Sequence, residues 1–128
     1  MEPNFELFEE GQRNKHVKRL HVTLNKHGHF FLNARVLEVM GNPDGVALLF
    51  DPKLQVIGVA ATTLDKSYSY ELRKKDSFGA ARLVYAKNFC RAYGIKPKET
   101  VAFTDAKVNK DGVLVLDLQK VAAVTRDK

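Results

Sequence analysis

Two stretches of this chain follow one plan: Leu32-Asn33-Ala34-Arg35-Val36-Leu37-Glu38-Val39-Met40-Gly41 and Tyr85-Ala86-Lys87-Asn88-Phe89-Cys90-Arg91-Ala92-Tyr93-Gly94. Gly41 and Gly94 are 53 residues apart, and the apolar trio Val36, Leu37, Met40 falls on Phe89, Cys90, Tyr93 at that same offset without a gap. Each stretch is followed by a turn (Asn42-Pro43-Asp44-Gly45; Ile95-Lys96-Pro97-Lys98) and then by an apolar run closing on Phe50 or Phe103, again 53 residues apart. Matched element order at a fixed offset is the signature of an internal repeat, which constrains fold strongly and function weakly.

Outward from this core the rest of the chain reads by local chemistry. Asn33 suits an N-cap and Gly41 a left-handed C′ residue, so the first stretch is predicted as a helix of about two turns. Its apolar positions 36, 37 and 40 face one way, with Arg35 and Glu38 off that stripe. Before it, Leu20, Val22 and Leu24 alternate, Asn25-Lys26-His27-Gly28 supplies a turn, and His29 to Leu32 is extended: a hairpin. After it come two strands, residues 46–50 and 56–60, joined around Asp51-Pro52. The second half repeats the order. Tyr68, Tyr70 and Leu72 alternate, residues 76–80 turn at Gly79, 82–85 are extended, and a helix over 86–93 ends at Gly94. Strands over 100–104 and 113–118 then flank Asn109-Lys110-Asp111-Gly112, where Asp-Gly suits a turn with positive φ. The expected organisation is an N-terminal arm (1–19), a first unit (20–61), a connector (62–67), a second unit (68–118) and a C-terminal tail (119–128), the two units forming one domain.

At 128 residues, 45% hydrophobic and 28% charged, the chain is of ordinary single-domain size and composition. No run approaches the ~20 apolar residues that span a bilayer, and the acidic start Met1 to Glu10 is unlike a secretory signal, so a soluble, cytoplasmic protein is expected. The single cysteine, Cys90, makes no intrachain disulfide. The net charge of +6 is concentrated. Between Lys66 and Lys98 lie Lys66, Arg73, Lys74, Lys75, Arg82, Lys87, Arg91, Lys96 and Lys98 against only Glu71 and Asp76, a balance of +7, which leaves the remainder at −1. One basic segment is an electrostatic footprint for an anionic partner, and also what a solvated face looks like.

A unit of about 45 residues, with a hairpin, one short helix ending in glycine, a turn and a second hairpin (ββαββ), resembles the SpoVT/AbrB superfamily, the AbrB-, MazE- and MraZ-like proteins. The family pattern runs Asp or Asn, two residues, Gly-Arg, three residues, Pro, then a short basic helix ending in Leu-Gly-Ile. Asn25, Gly28 and Arg35 match that layout, and Met40-Gly41-Asn42 and Tyr93-Gly94-Ile95 resemble the helix end. Where the family has arginine after the glycine this chain has His29, and Asn33 and Ala86 stand at the proline position. The resemblance implies a mostly β fold in which two tandem units form a pseudo-symmetric swapped-hairpin barrel. It also implies a DNA-binding role in transcription regulation and self-association into a homo-oligomer.

The residues matching the family's basic loop and helix are Lys26, His29 and Arg35 in the first unit and Arg82, Lys87 and Arg91 in the second; Arg73, Lys74 and Lys75 add a basic strand end. Lys and Arg neutralise phosphates at almost any spacing, whereas base reading needs forked donors, which makes Arg35, Arg82 and Arg91 the candidates for specificity. Arg35 has a competing use, because Glu38 lies one turn away. His27 and His29 straddle a turn glycine and lack the further ligands of a structural metal site, so no metal is expected. Cys90 sits on an apolar stripe and reads as core. Tyr68, Tyr70, Phe78 and Tyr85 interleave with the basic segment, as a single-strand stacking surface or as cross-strand packing. No phosphate-cradling glycine loop, paired-carboxylate arrangement or nucleophile motif is present, so neither an enzyme, a cofactor nor a small-molecule substrate is expected. Two functions remain open: a regulator binding duplex DNA, and a non-catalytic protein-interaction or structural module that kept the fold and lost the DNA motif.

Overall fold

Strand alternation puts Val22 and Leu24, then Phe30 and Leu32, on one face, and in the computed structural model, which describes residues 2–6, 19–75 and 79–124, these four side chains are buried. They belong to β1 (Val22–Leu24) and β2 (His29–Leu32), paired antiparallel with Val22 opposite Leu32 and Leu24 opposite Phe30. The chain continues through α1 (Ala34–Val39), β3 (Gly45–Asp51), β4 (Val56–Thr62), β5 (Tyr70–Glu71), β6 (Arg73–Lys74), β7 (Arg82–Tyr85), α2 (Lys87–Tyr93), β8 (Val101–Phe103), β9 (Lys107–Val108), β10 (Leu114–Asp117) and β11 (Val121–Ala123). The strands form two antiparallel sheets, ordered β11-β8-β1-β2-β7-β6 and β5-β3-β4-β10-β9. In both sheets strands from the two halves of the chain are interleaved: β1 and β2 lie between β8 and β7, and β4 lies beside β10.

The inner faces of both sheets and the apolar stripes of both helices share one core. Ile57 and Val59 face Leu116 and Leu114 across the β4·β10 pair, while Val36, Leu37, Phe89 and Cys90 come from the helices. Each fully buried aliphatic or aromatic side chain stabilises by about 1.5–3 kcal/mol. No described polar or charged residue is buried, so this stabilisation is not offset by unpaired polar groups.

Local chemistry accounts for the helix limits. Asn33 Oδ1 accepts from the Val36 N–H at 3.1 Å, and its amide donates to the Arg19 carbonyl at 2.8 Å. At the other end Asn42 donates to the Leu37 carbonyl and Gly41 to that of Glu38, the two bonds of a Schellman motif, with Gly41 at φ +86°. The second helix ends in the same way, Ile95 donating to Cys90 and Gly94 to Arg91 around Gly94 at φ +67°. Its start differs, because Ala86 carries no capping side chain. The helices start 53 residues apart, as do β2 and β7, so the repeat offset read in the sequence holds across these elements.

The hairpin turns share one design. Asn25 Oδ1 accepts from the His27 and His29 N–H groups, and Asn109 Oδ1 accepts from those of Asp111 and Val113, each turn leaving through a glycine at φ +80°. The second turn was expected to place Asp-Gly at positive φ; only Gly112 adopts it, and the Asn109 side chain sets the geometry instead.

Three expectations are corrected. The sheets do not close into a barrel. Leu72, between β5 and β6, is the point at which the chain leaves one sheet for the other, so β5 pairs with β3 and β6 with β7 and the ladder is interrupted. The strand read through Tyr68, Tyr70 and Leu72 is therefore two short pieces, with Tyr68 in the preceding turn. The tail expected from residue 119 contains β11, which pairs with β8; a corner at Thr104, bonded through both its N–H and its hydroxyl to the Lys120 carbonyl, carries the last hairpin from one sheet into the other. Residues 1, 7–18, 76–78 and 125–128, covering most of the expected arm, part of the turn before β7 and the end of the tail, lie outside the described residues. No helix among the described residues is long and apolar enough to cross a membrane.

Gly28 and Gly41 test how these constraints differ. A Cβ on Gly28 would stand 2.8 Å from Lys87 Cα, whereas one on Gly41 would meet nothing within 4 Å. Gly41→Ala should cost about 1–2 kcal/mol, the left-handed backbone penalty alone. Gly28→Ala should cost about 1–3 kcal/mol beyond that, because backbone must move. Urea unfolding of the two variants measures the difference, and equal losses would show that the close approach does not constrain the fold.

Candidate nucleic-acid interface

The β1–β2 turn of the first half is pressed against the start of α2 in the second half. Gly28 lies against Lys87, and the Ala86 N–H donates to the Gly28 carbonyl at 2.8 Å. This contact brings together side chains more than fifty residues apart in sequence. Lys26, His27, Lys87, Arg91 and Lys96 surround an open groove of about 410 Å³ whose floor includes Cys90 and Ile95. Lys87 and Arg91 are four apart on α2 and so share its outer face, and Lys96 follows the Schellman turn. Among the described residues no carboxylate pairs with Lys26, Lys87, Arg91 or Lys96; the ion pairs present are Arg35–Glu38, Arg73–Glu71, Lys107–Asp105 and Lys120–Asp105. Four cations held together without counter-charge form a local positive potential that draws in anions. A neighbouring depression is lined by Lys26, His27 and Lys98 and also by Glu99, so the excess of positive charge is weaker there.

Beside the groove, across the β2·β7 pair, His29 stands opposite Tyr85 and their rings stack at 4.1 Å. On the far side of β7, the Arg73 guanidinium lies over the Tyr85 ring at 4.6 Å, while also reaching Glu71 at 3.4 Å. Strands β2 and β6 flank β7, so the two partners approach Tyr85 from opposite sides. Tyr85 is thereby spoken for and offers no free face to a base. The other aromatics do not form a row with it: Tyr68 is in a turn, the Tyr70 hydroxyl donates to Asn88 at 2.9 Å, and Phe78 lies outside the described residues. The cross-strand packing reading is the one the contacts match.

The nine basic and histidine positions singled out in the sequence therefore separate. Lys26, Lys87 and Arg91 converge on the groove, and His29 adjoins it, close enough for Lys87 to influence its charge. Arg35 is tied to Glu38 at 2.7 Å on the other helix. Arg82 turns back on its own loop, donating to the carbonyls of Gly79 and Ala81 at 3.2 and 3.0 Å. Arg73 is engaged with Tyr85 and Glu71, while Lys74 and Lys75 are exposed at the sheet edge. Lys96 and His27 join the site without having been proposed for it. Lys96 was visible within the basic segment, but nothing local indicated that the chain leaving Gly94 folds toward the first-half turn.

His27 and His29 have ring centroids 6.1 Å apart, and among the described residues no three potential metal ligands converge. Cys90 is buried, and that burial pushes its thiol pKa up, away from the reactive thiolate. Compared with known proteins, the chain matches no family model, no curated protein and no solved structure.

The pKa of His29 is lowered by desolvation first, then by His27 and Lys87; that of His21, packed edge-on against Phe31, is lowered by burial and by Arg19. A depressed native pKa means that the unfolded chain takes up protons first. The stabilisation is fully present above the ordinary histidine value of about 6.5 and is lost as pH falls through the lower native values. Thermal unfolding should therefore show Tm declining as pH drops below about 6.5, with a shallower decline in a His21→Gln, His29→Gln double variant. An identical slope in both proteins would place the acid sensitivity elsewhere.

Proposed function

We propose that this chain is a DNA-binding transcriptional regulator of AbrB/MraZ type that contacts duplex DNA through the β1–β2 turn and α2. The observation that carries the reading is the groove in which Lys26, Lys87, Arg91 and Lys96 converge with no carboxylate partner among the described residues. Lysines at this spacing neutralise phosphates, and Arg91 is the one forked donor among them, suited to a phosphate or a guanine edge. Support for a swapped-hairpin arrangement comes from the interleaving of strands from both halves and from the shared offset of β2 with β7 and α1 with α2. A homo-oligomer remains part of this reading through the resemblance alone.

A second reading, a non-catalytic protein-interaction or structural module, is favoured by one observation: the arginines at the family-matched positions 35 and 82 are engaged internally. Fluorescence anisotropy on random-sequence duplex DNA across a salt series separates the two. The regulator reading expects binding in the micromolar range or tighter that weakens with salt. In a Lys87→Glu, Arg91→Glu variant it expects at least a tenfold loss and a salt slope shallower by about two. Absence of binding at low salt, with the wild-type protein folded, would favour the interaction module.

A further inference from the structure

The fold builds the basic groove twice, and only one copy is basic. Cys90, Ile95, Lys96 and His27 line the groove described above; Leu37, Asn42, Pro43 and Ala80, each 53 residues away, line a second groove of about 280 Å³ at the matching place beside α1. At that offset Lys87 and Arg91 become Ala34 and Glu38, and Lys26 becomes Gly79. The second groove also holds Asp44 in its lining. One arginine, Arg82, lines it, and its Nη1 is held by two backbone carbonyls of its own loop; elsewhere on α1, Arg35 is ion-paired with Glu38. The first groove thus presents five basic or imidazole side chains, and the second a single cation, Arg82, beside one carboxylate, Asp44.

We infer that each chain engages duplex DNA through one groove only, so that it reads a single half-site and a two-fold symmetric DNA site takes two chains. This rests on the DNA-binding reading and adds the stoichiometry and the face. A protein built from two equivalent copies of a unit would present two equivalent contact surfaces to a palindrome. Here the copies have diverged at the positions that meet phosphate and in the turn, where Gly28 falls on Ala81, while both helices end in the same motif and Leu37, Asn42, Pro43 and Ala80 line a groove as their counterparts do. Phosphates brought to the second groove would meet Asp44 with Arg82 as the one cation among its lining residues, a near-balanced site that gives symmetric docking of one chain little of the attraction present at the first groove.

The test compares two glutamates introduced at each groove. Lys87→Glu, Arg91→Glu alters the basic groove; Ala34→Glu, Ala80→Glu alters the other. Glutamate in the first turn of α1 suits the helix start, and Ala80 is exposed, so the second variant is expected to fold, as circular dichroism would verify. Affinity for random-sequence duplex should fall at least tenfold in the first variant and stay within about threefold of wild type in the second, at an ionic strength that screens distant charges. Comparable losses in both would show that both grooves touch DNA and would overturn the inference while leaving the DNA-binding reading intact. Loss confined to the second variant, or no loss in either, would overturn the assignment of face. A folded wild-type protein that binds no duplex would remove the reading on which the inference rests.

Discussion

The close approach of Gly28 to the backbone of Lys87 is the constraint on which the rest of the site depends. A turn that leaves through a left-handed residue needs glycine on conformational grounds alone. Here the missing Cβ has a second use, because it lets the Gly28 carbonyl accept the Ala86 N–H at the start of a helix that has no capping side chain. That bond holds the start of the second helix as the Asn33 N–H, donating to the His21 carbonyl, holds the first, and it fixes where the first-half turn sits relative to the second-half helix. Lys26 and His27 are carried to Lys87 and Arg91 by that fixation.

Clustering like charges opposes folding, and the cluster persists because the forces that assemble it are apolar and local. The sheets and helices around it share one core, with Phe30 of β2 facing Val84 of β7 and Phe89 and Cys90 closing over them. The cations stand on exposed ends of elements whose positions that core determines, and their mutual repulsion is screened by solvent and salt. Among the described residues no carboxylate is ion-paired with the cluster, so its positive potential is left to solvent and counter-ions.

Much of the local structure was legible in the sequence because its determinants are local. Asn33, Gly41 and Gly94 define helix ends, and Asn25 and Asn109 define turns, through hydrogen bonds that span five residues or fewer. The mostly β class followed from the alternation of Val22, Leu24, Phe30 and Leu32. What was not legible depends on contacts distant in sequence: which sheet each strand joins, the switch at Leu72, the pairing of β11 with β8, and the absence of closure. The site shows the same division. The Arg35–Glu38 pair was readable from helical spacing, but the diversion of Arg82 to its own loop was not, because it depends on how the residues before β7 curl back.

The repeat therefore acts differently on shape and on charge. Selection for a stable fold restrains the positions that end helices and fill the core, and these carry the 53-residue correspondence most clearly, as Gly41 with Gly94 and Leu37 with Cys90, whereas Gly28 falls on Ala81. Exposed rim positions carry no such restraint, since surface substitutions away from special features change stability by only about 0.5 kcal/mol or less. Duplicated architecture can hence diverge in function at its rims at little cost to folding. In this chain the groove beside α2 is lined by five basic or imidazole side chains, whereas the groove beside α1 is lined by Asp44 and Arg82 together with Pro43 and Ala80.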